Sequence, residues 1–299
     1  MWFRNLQVFR LTPAWSYSAQ ALGEALVRGA FKGCGATDRI ALGWVPPRGD
    51  DGEPIFTAGE QQLVALGVES KLLPASVVRQ YADAKLQSIE AAQGYKPGRK
   101  QAREVRDQVE LELLPRAFVK RALTYVWVDP AGRWLVVDAA SSARADEVIE
   151  QLKQSLGDVP LTLLKTTMSP GAAMTGWLAA GDAPSPFSID RDCELQASAD
   201  ERPAVRYVRH NLDSDEVRAH VAAGKAVTRL ALTWNDRVSF VLTEQMQIKR
   251  VAFLDLVKEE AERAADGGDD LFAANFALMA GELSRLLADL VAALGGEAE

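Results

Sequence analysis

Cysteine and histidine are both scarce in this sequence of 299 residues, with two of each. Cys34, Cys193, His210 and His220 are scattered along the chain. Two distant cysteines are more typical of free buried thiols than of a disulfide framework. A metal site needs clustered ligands, and a nucleophilic triad needs a histidine beside a nucleophile and an acid. The sequence therefore predicts neither a metal centre nor a catalytic triad.

Long apolar runs are also lacking. No run approaches the roughly 20 residues that cross a bilayer, and residues 1–5 lack the basic-then-apolar layout of a signal peptide. We therefore expect a cytoplasmic protein with no membrane segment. Hydrophobic residues (48%) and charged residues (25%) are present in proportions ordinary for a soluble globular protein. The net charge of −7 gives no overall attraction to nucleic acid, so DNA binding would require a local concentration of positive charge.

Two glycine motifs look like nucleotide-binding signatures but lack the required context. Residues 33–35 (GCG) follow a predicted helix instead of a strand, and Asp38 stands where a third glycine belongs. Gly224 precedes Lys225, but it ends a predicted helix where a phosphate loop would begin one. We expect no cofactor, and the sequence predicts a protein that is not an enzyme.

The periodicity of apolar residues predicts an α+β fold with antiparallel hairpins, because strand and helix patterns do not alternate regularly. Asp213 with Glu216 three residues later resembles a capping box at the start of a helix that stops at Gly224. Residues 160–203 give the weakest pattern. Strands are predicted within residues 2–11, 43–47, 55–68, 123–128, 133–138, 204–208, 226–234, 238–242 and 248–253, and helices within residues 21–30, 77–89, 99–114, 143–156, 172–180, 213–224 and 270–294.

Positive charge is concentrated between Lys71 and Arg121, where 11 basic and 6 acidic residues leave a net charge of +5. A basic helix face is usually only solvated, and the functional alternative is a surface that contacts phosphates. The basic residues that we select as DNA-binding candidates from this segment are Lys71, Arg79, Lys96, Arg99, Lys100, Arg103, Arg116 and Lys120. A smaller basic cluster, Arg202, Arg206, Arg209 and His210, lies in or beside a predicted strand.

The C-terminal segment has the opposite charge. Residues 252–299 contain 3 basic and 11 acidic residues, a net −8, so this end should avoid DNA. Its long helix carries an apolar stripe that could pack on the chain's own core or against a second copy. Phe118 leaves the same choice between a core residue and an exposed anchor for a partner. Our candidates for a dimer interface are Phe118, Phe276, Met279, Leu283 and Leu287.

Short motifs, in order along nearly the whole chain, resemble the RdgC family of recombination-associated bacterial proteins. None of them is a mechanistic signature alone, but together they form a specific match. They are MWFRNL (1–6), GWVPP (43–47), LLPRAF (113–118), VDAAS (137–141), SDEV (214–217), AGK (223–225), LAL (230–232), MAGEL (279–283) and ALGGEA (293–298).

The resemblance implies a three-lobed protomer with centre, tip and base lobes, and two protomers that meet tip-to-tip and base-to-base in a ring. The hole would be lined with positive charge and wide enough for duplex DNA. Carried onto this sequence, the centre lobe takes residues 1–75 and 119–165, the helical tip takes 76–118, and the base takes 166–299 with a C-terminal dimerisation helix.

The resemblance also implies the function and some residue roles. It implies a nucleoid-associated homodimer that binds double-stranded DNA without sequence preference, takes single-stranded DNA as a further ligand, and antagonises recombination promoted by RecA. Phe118 would make the tip contact and Arg116 would lie near the DNA. Arg209 and His210 occupy the base-lobe position where the family pattern has a basic residue and glutamine, so the histidine is a departure. The alternative is a regulator that binds the recombinase itself, with only incidental DNA affinity.

Overall fold

The computed structural model describes residues 1–49, 52–197, 203–265 and 270–298. These residues form helices and an antiparallel sheet, which confirms the predicted α+β class. The helices are α1 (Ala19–Arg28), α2 (Ala75–Gln93), α3 (Arg99–Leu113), α4 (Ser142–Leu156), α5 (Pro170–Ala180), α6 (Asp215–Ala222), α7 (Asp255–Ala265) and α8 (Leu271–Ala293). The strands are β1 (Leu6–Leu11), β2 (Ile40–Val45), β3 (Phe56–Ala58), β4 (Gln61–Leu72), β5 (Phe118–Asp129), β6 (Trp134–Asp138), β7 (Leu161–Leu163), β8 (Phe187–Ala197), β9 (Ala204–Tyr207), β10 (Lys225–Trp234), β11 (Val238–Thr243) and β12 (Ile248–Phe253).

All twelve described strands belong to one sheet, in the order β2-β4-β5-β6-β1-β12-β11-β10-β8-β9, with β3 paired to β4 and β7 paired to β1. The N-terminal and C-terminal halves meet where β1 pairs with β12, with Leu6 opposite Ile248. Backbone hydrogen bonding therefore continues without a break from the N-terminal strands β1–β7 into the C-terminal strands β8–β12.

Helices cover both faces of the sheet in its N-terminal half. Strand residues alternate between the two faces, so Val136 contributes to one core and Leu135 and Val137 to the other. The second of these cores also contains the buried faces of α1 and α4. The first core is shared with α8, whose Met279 accepts a hydrogen bond from the Phe3 N–H at 3.2 Å.

In the C-terminal half, the described helices all lie on one face of the sheet. Buried side chains of α5, α6, α7 and α8 all join the same core as Leu230, Leu232 and Leu242 of the strands. The opposite face of β8–β12 carries Arg229, Thr233 and other mostly polar side chains. We call this surface the open face. An antiparallel sheet tolerates this arrangement because each strand can be apolar inward and polar outward.

Helices α2 and α3 form a hairpin that begins directly after β4 and returns, through a one-turn 3-10 helix at Leu114–Arg116, into β5. Only Val78, Ala82 and Val109 form the buried cluster between these helices. The six β5 residues nearest to the hairpin, 118–123, are all exposed. The hairpin is therefore attached to the sheet by a two-stranded ribbon and contributes little to the main core.

Local sequence signals account for most element boundaries. Ser18 and Ser141 each accept a hydrogen bond from a first-turn N–H of α1 and α4. The prediction of a capping box at Asp213 was wrong, because Ser214 caps α6 through the Val217 N–H. The Glu216 carboxylate instead accepts a hydrogen bond from the Tyr207 hydroxyl at 2.9 Å.

The apolar stripe of α8 serves the protomer's own core. Phe276, Met279, Leu283 and Leu287 are all 0% exposed and pack with strands from both halves of the sheet. A side chain with no accessible surface cannot contact a second copy, so the assignment of these four residues to a dimer interface is corrected. Phe118, in contrast, is 83% exposed.

Candidate nucleic-acid interface

The first basic surface lies on the helical hairpin. Arg99, Arg103 and Arg106 follow helical spacing on α3 and share one side of it, because residues three and four apart are neighbours on a helix surface. Lys100 is adjacent to them, and Lys96 precedes the helix in the connection from α2. All five are exposed.

Ion pairs neutralise part of this surface. Lys85 pairs with Glu112 at 2.6 Å, and Arg103 approaches Asp107 at 3.9 Å. The Lys71 ammonium donates to the Ala36 carbonyl at 2.6 Å. Several cations have no ion pair among the described residues, and these are available to an external anion: Arg79, Lys96, Arg99, Lys100, Arg106, Arg116 and Lys120.

The ribbon of β4 and β5 presents two different sides. Lys120 is paired with Ser70, and Phe118 with Leu72, on the side of the sheet that α1 and α4 cover further along. Arg121 lies on the other side, where its Nε donates to Glu69 at 2.7 Å. The Glu69 carboxylate also accepts the Cys34 N–H at 2.8 Å. The Cys34 N–H and the Arg121 guanidinium lower the pKa of Glu69.

The second basic surface is the open face. Register places Arg229 beside Glu194, and Glu194 beside Arg206 on β9, while Val241 is opposite Lys249. Six basic residues on or at the rim of this face outnumber the acids Asp190, Asp192 and Glu194 by three. The basic residues are Arg191, Arg206, Arg209, Arg229, Lys249 and Arg250.

Asp192 organises one part of the open face. Its Oδ1 accepts the Arg209 N–H at 2.9 Å, and its Oδ2 accepts from Arg250 Nη1 at 3.0 Å. These two donors lower the pKa of the Asp192 carboxyl, the Arg209 N–H being the stronger cause. Arg250 also connects the open face to the N-terminal segment, because its backbone N–H donates a hydrogen bond to Asn5 Oδ1.

His210 lies close to this group but is occupied by local contacts. Its Nδ1 is 2.8 Å from the Asn211 carbonyl, and its ring is 4.9 Å from the ring of Tyr207. Its N–H donates to the Arg191 carbonyl at 3.0 Å. His210 therefore helps to hold the backbone beside Arg209, and its predicted contact with DNA stays a prediction.

The structure brings Arg209 and His210 together but does not place them beside the hairpin residues, which belong to the other end of the sheet. Arg202 of the same predicted cluster lies outside the described residues. Arg191, Arg229, Lys249 and Arg250 were missed by the sequence analysis. The alternation of β10 could have identified Arg229, because this polar residue lies between apolar residues that face the core and therefore points to the opposite face of the sheet. Nothing local in the sequence brings β8, β10 and β12 together.

The described part of the chain lacks two further features. None of its helices combines the length and the apolar character that a membrane crossing requires. Within the same residues, no group of three or more His, Cys, Asp and Glu side chains is placed to hold a metal ion.

Comparison with known proteins extends over the whole length. A family model described as "Putative exonuclease, RdgC" matches residues 1–297. The chain is 55% identical over 300 residues to the recombination-associated protein RdgC of Dechloromonas aromatica (strain RCB), covering 99% of this chain and 98% of that protein. It is 50% identical over 299 residues to the protein of the same name from Janthinobacterium sp. (strain Marseille), covering 100% and 99%. It is also 50% identical over 297 residues to that of Bordetella parapertussis (strain 12822), covering 99% of each.

Proposed function

This chain belongs to the RdgC family of recombination-associated proteins, and we propose that it binds duplex DNA without sequence preference, as a ring-shaped homodimer around the DNA. The observation that carries the proposal is the pattern of unneutralised cations in a chain of net charge −7. They are concentrated on the helical hairpin and on the open face. Arg and Lys side chains at the surface are the groups that contact phosphates, which carry no base information.

A ring reconciles DNA binding with the acidic net charge, because only the inner lining must be positive. Phe118 supports an anchor between protomers, since a large apolar side chain that is 83% exposed is a natural contact for a partner. We further propose that the dimer is associated with the nucleoid, that it also binds single-stranded DNA, and that it opposes recombination promoted by RecA by occupying the DNA.

The decisive measurement is a titration of labelled duplexes of unrelated sequence at several salt concentrations. Binding through phosphates makes log K fall with log salt with a slope of about −0.9 for each neutralised phosphate. We expect a steep slope that is the same for every sequence. Salt-insensitive binding to purified recombinase, with no affinity for DNA, would favour the regulator that acts by protein contact.

The family model's description and the relatives' name differ on activity, since one refers to an exonuclease and the other to recombination. We propose a role in binding without cleavage. The full-length protein should leave end-labelled duplex and single-stranded DNA intact in the presence of Mg²⁺ or Mn²⁺. A nuclease activity that copurifies with the protein and is abolished when carboxylate residues of the chain are substituted would overturn this part of the proposal.

A further inference from the structure

Two irregularities in the sheet face each other across β10 and β11 on the open face. In β8, residues 190–192 lie opposite the single β10 residue Ala231, between the pairs Leu230↔Cys193 and Leu232↔Ile189. In β12, residues 250 and 251 lie opposite the single β11 residue Phe240. Bulges of this kind redirect side chains and are frequent beside functional sites.

The two bulges border a small open cavity of about 230 Å³. This volume is below the roughly 300–1,000 Å³ of pockets that take a whole small molecule. The cavity therefore suits a single compact group. Its lining residues are Asp190, Arg191, Asp192, Arg209, Ala231, Ser239, Phe240, Val241 and Arg250.

The backbone at this cavity is held in a conformation that side chains disfavour. Arg209 has φ of 53° and Arg250 has φ of 55°, both in the left-handed region. Each such residue costs of the order of 1 kcal/mol or more, and these conformations cluster at functional sites. Asp192 fixes both arginines, one through its backbone N–H and the other through its guanidinium.

The charge of the cavity selects an anion. Three guanidinium groups face two carboxylates, a net of +1, and Asp192 is already engaged by two donors. Asp190 accepts a hydrogen bond from the Thr233 hydroxyl at 3.0 Å. Arg191 and Arg209 form no side-chain ion pair with any described residue, and Arg250 uses only Nη1. Most of the guanidinium donors thus remain available.

We propose that this cavity is a phosphate-binding site that holds one backbone phosphate of bound DNA, with Arg191 and Arg250 as its main donors. The proposal rests on the proposed function and deepens it. A planar guanidinium donates two parallel hydrogen bonds to phosphate oxygens, which fixes the phosphate in position as well as attracting it. The hydrogen bond from Arg250 Nη1 to Asp192 orients the Arg250 guanidinium before DNA binds. Less side-chain conformational entropy is therefore lost when DNA binds.

The test compares duplex binding by full-length wild type, Arg191→Gln and Arg250→Gln. The control is Arg263→Gln, which changes an exposed arginine of α7 that pairs with Glu259 on the opposite side of the sheet. Arg191→Gln removes no ion pair between described residues, and it leaves the hydrogen bonds of Asp192 to Arg209 and Arg250 in place. This variant therefore reports on phosphate contact even if Arg250→Gln disturbs the bulge. Thermal unfolding verifies that each variant is folded.

For Arg191→Gln we expect about 10-fold weaker binding and a salt slope shallower by about 1, equally for every sequence. Arg250→Gln should behave similarly, and Arg263→Gln should match wild type. If wild type binds DNA steeply with salt and both cavity variants retain its affinity and slope, the cavity is not a phosphate site and the proposed function stands. If wild type shows no salt-dependent DNA binding, the proposed function fails and the cavity site fails with it.

Discussion

Glu69 joins distant parts of the chain through one carboxylate. It accepts the Cys34 N–H from the loop before β2 and the Arg121 guanidinium from β5. Because both contacts favour the ionised form, they lower the pKa of Glu69 in the folded protein. Its contribution to stability is therefore complete above the ordinary carboxyl pKa and is lost as the pH falls through the lowered value.

For Glu69→Gln we predict a lower free energy of unfolding than wild type at pH 7. The difference between the two proteins should shrink as the pH falls below about 4.3, the ordinary pKa of a glutamate. Urea unfolding of both proteins from pH 7 to pH 3 measures it. Glu262→Gln, at an exposed position on α7, should change the free energy of unfolding at pH 7 by no more than about 0.5 kcal/mol. A difference between wild type and Glu69→Gln that is constant with pH would contradict the assignment.

Phe118 is the residue on which closure of the proposed ring depends. Since it is 83% exposed in the protomer, Phe118→Ala should change protomer stability by no more than about 0.5 kcal/mol. If the contact closes a ring, the variant should lose affinity for closed circular DNA more than for linear fragments, because a ring that opens easily releases a circle. Competition between the two DNA forms in a gel-shift assay measures this.

Leu163→Ala is a matched control, as Leu163 is an exposed apolar residue of β7, away from the ribbon. It should bind circles and linear DNA as wild type does. Equal affinities of wild type and Phe118→Ala for both forms would remove Phe118 from the mechanism.

At the scale of secondary-structure elements, a buried ionic network ties α7 and α8 to the β10–β11 turn. Arg237 donates to both oxygens of Glu282, at 2.9 and 3.0 Å, and to Glu260. Glu282 is fully buried. The Arg237 guanidinium lowers the pKa of Glu260, and the two carboxylates raise the pKa of Arg237. Arg285 also donates to Glu282 Oε1, so removal of Arg237 would leave Oε2 of this buried carboxylate without a charged partner among the described residues.

We predict that Arg237→Ala destabilises the protein by about 3–5 kcal/mol, since Glu282 would lose its main partner. The measurement is the free energy of unfolding from urea denaturation at pH 7. Arg263→Ala, whose ion pair with Glu259 is exposed, should cost at most about 1 kcal/mol. Similar losses in the two variants would show that the network contributes no more than a surface pair.

Sequence periodicity predicted most elements because their apolar spacing is regular, as in α3 and in the hairpin of β10 and β11. It missed α7, in which only Val257 and Ala261 are buried among many charged residues. It also missed β8, since the bulge places Asp190, Arg191 and Asp192 in the middle of the strand and interrupts its alternation. The basic surface of the hairpin could be predicted because its charged residues are clustered in the sequence. The basic surface of the open face could not, because its residues come from strands that are far apart in the sequence.

At the scale of the whole molecule, charge is separated by the sheet. The acidic helices α7 and α8 lie on the face that shares their core, and the open face on the other side is basic. The open face has a net charge of +3, and α7 and α8 together, with six acidic and three basic residues, have a net charge of −3. DNA attracted to the open face would be kept from the opposite side by repulsion, which sets its side of approach.

The oligomeric state follows at the same scale. We predict a mass in solution of twice the 32.5 kDa of one chain, with or without DNA. Light scattering after size exclusion measures it. Leu283→Ala should lower stability by about 2–5 kcal/mol because it opens a cavity in the protomer core, whatever the mass. A protein that stays a monomer at micromolar concentration on duplex DNA would exclude the ring.

The junction of β1 with β12 has a consequence for synthesis of the chain. Leu6 pairs with Ile248, and the Phe3 N–H finds its acceptor in Met279, 276 residues later. β6 and β7 can pair with the first strand early, but the side of that strand with Leu6 and Val8 stays uncovered until α8 has left the ribosome. Contacts of such sequence separation slow folding and expose intermediates to aggregation. Truncation just before α8 should yield nascent chains that need chaperones.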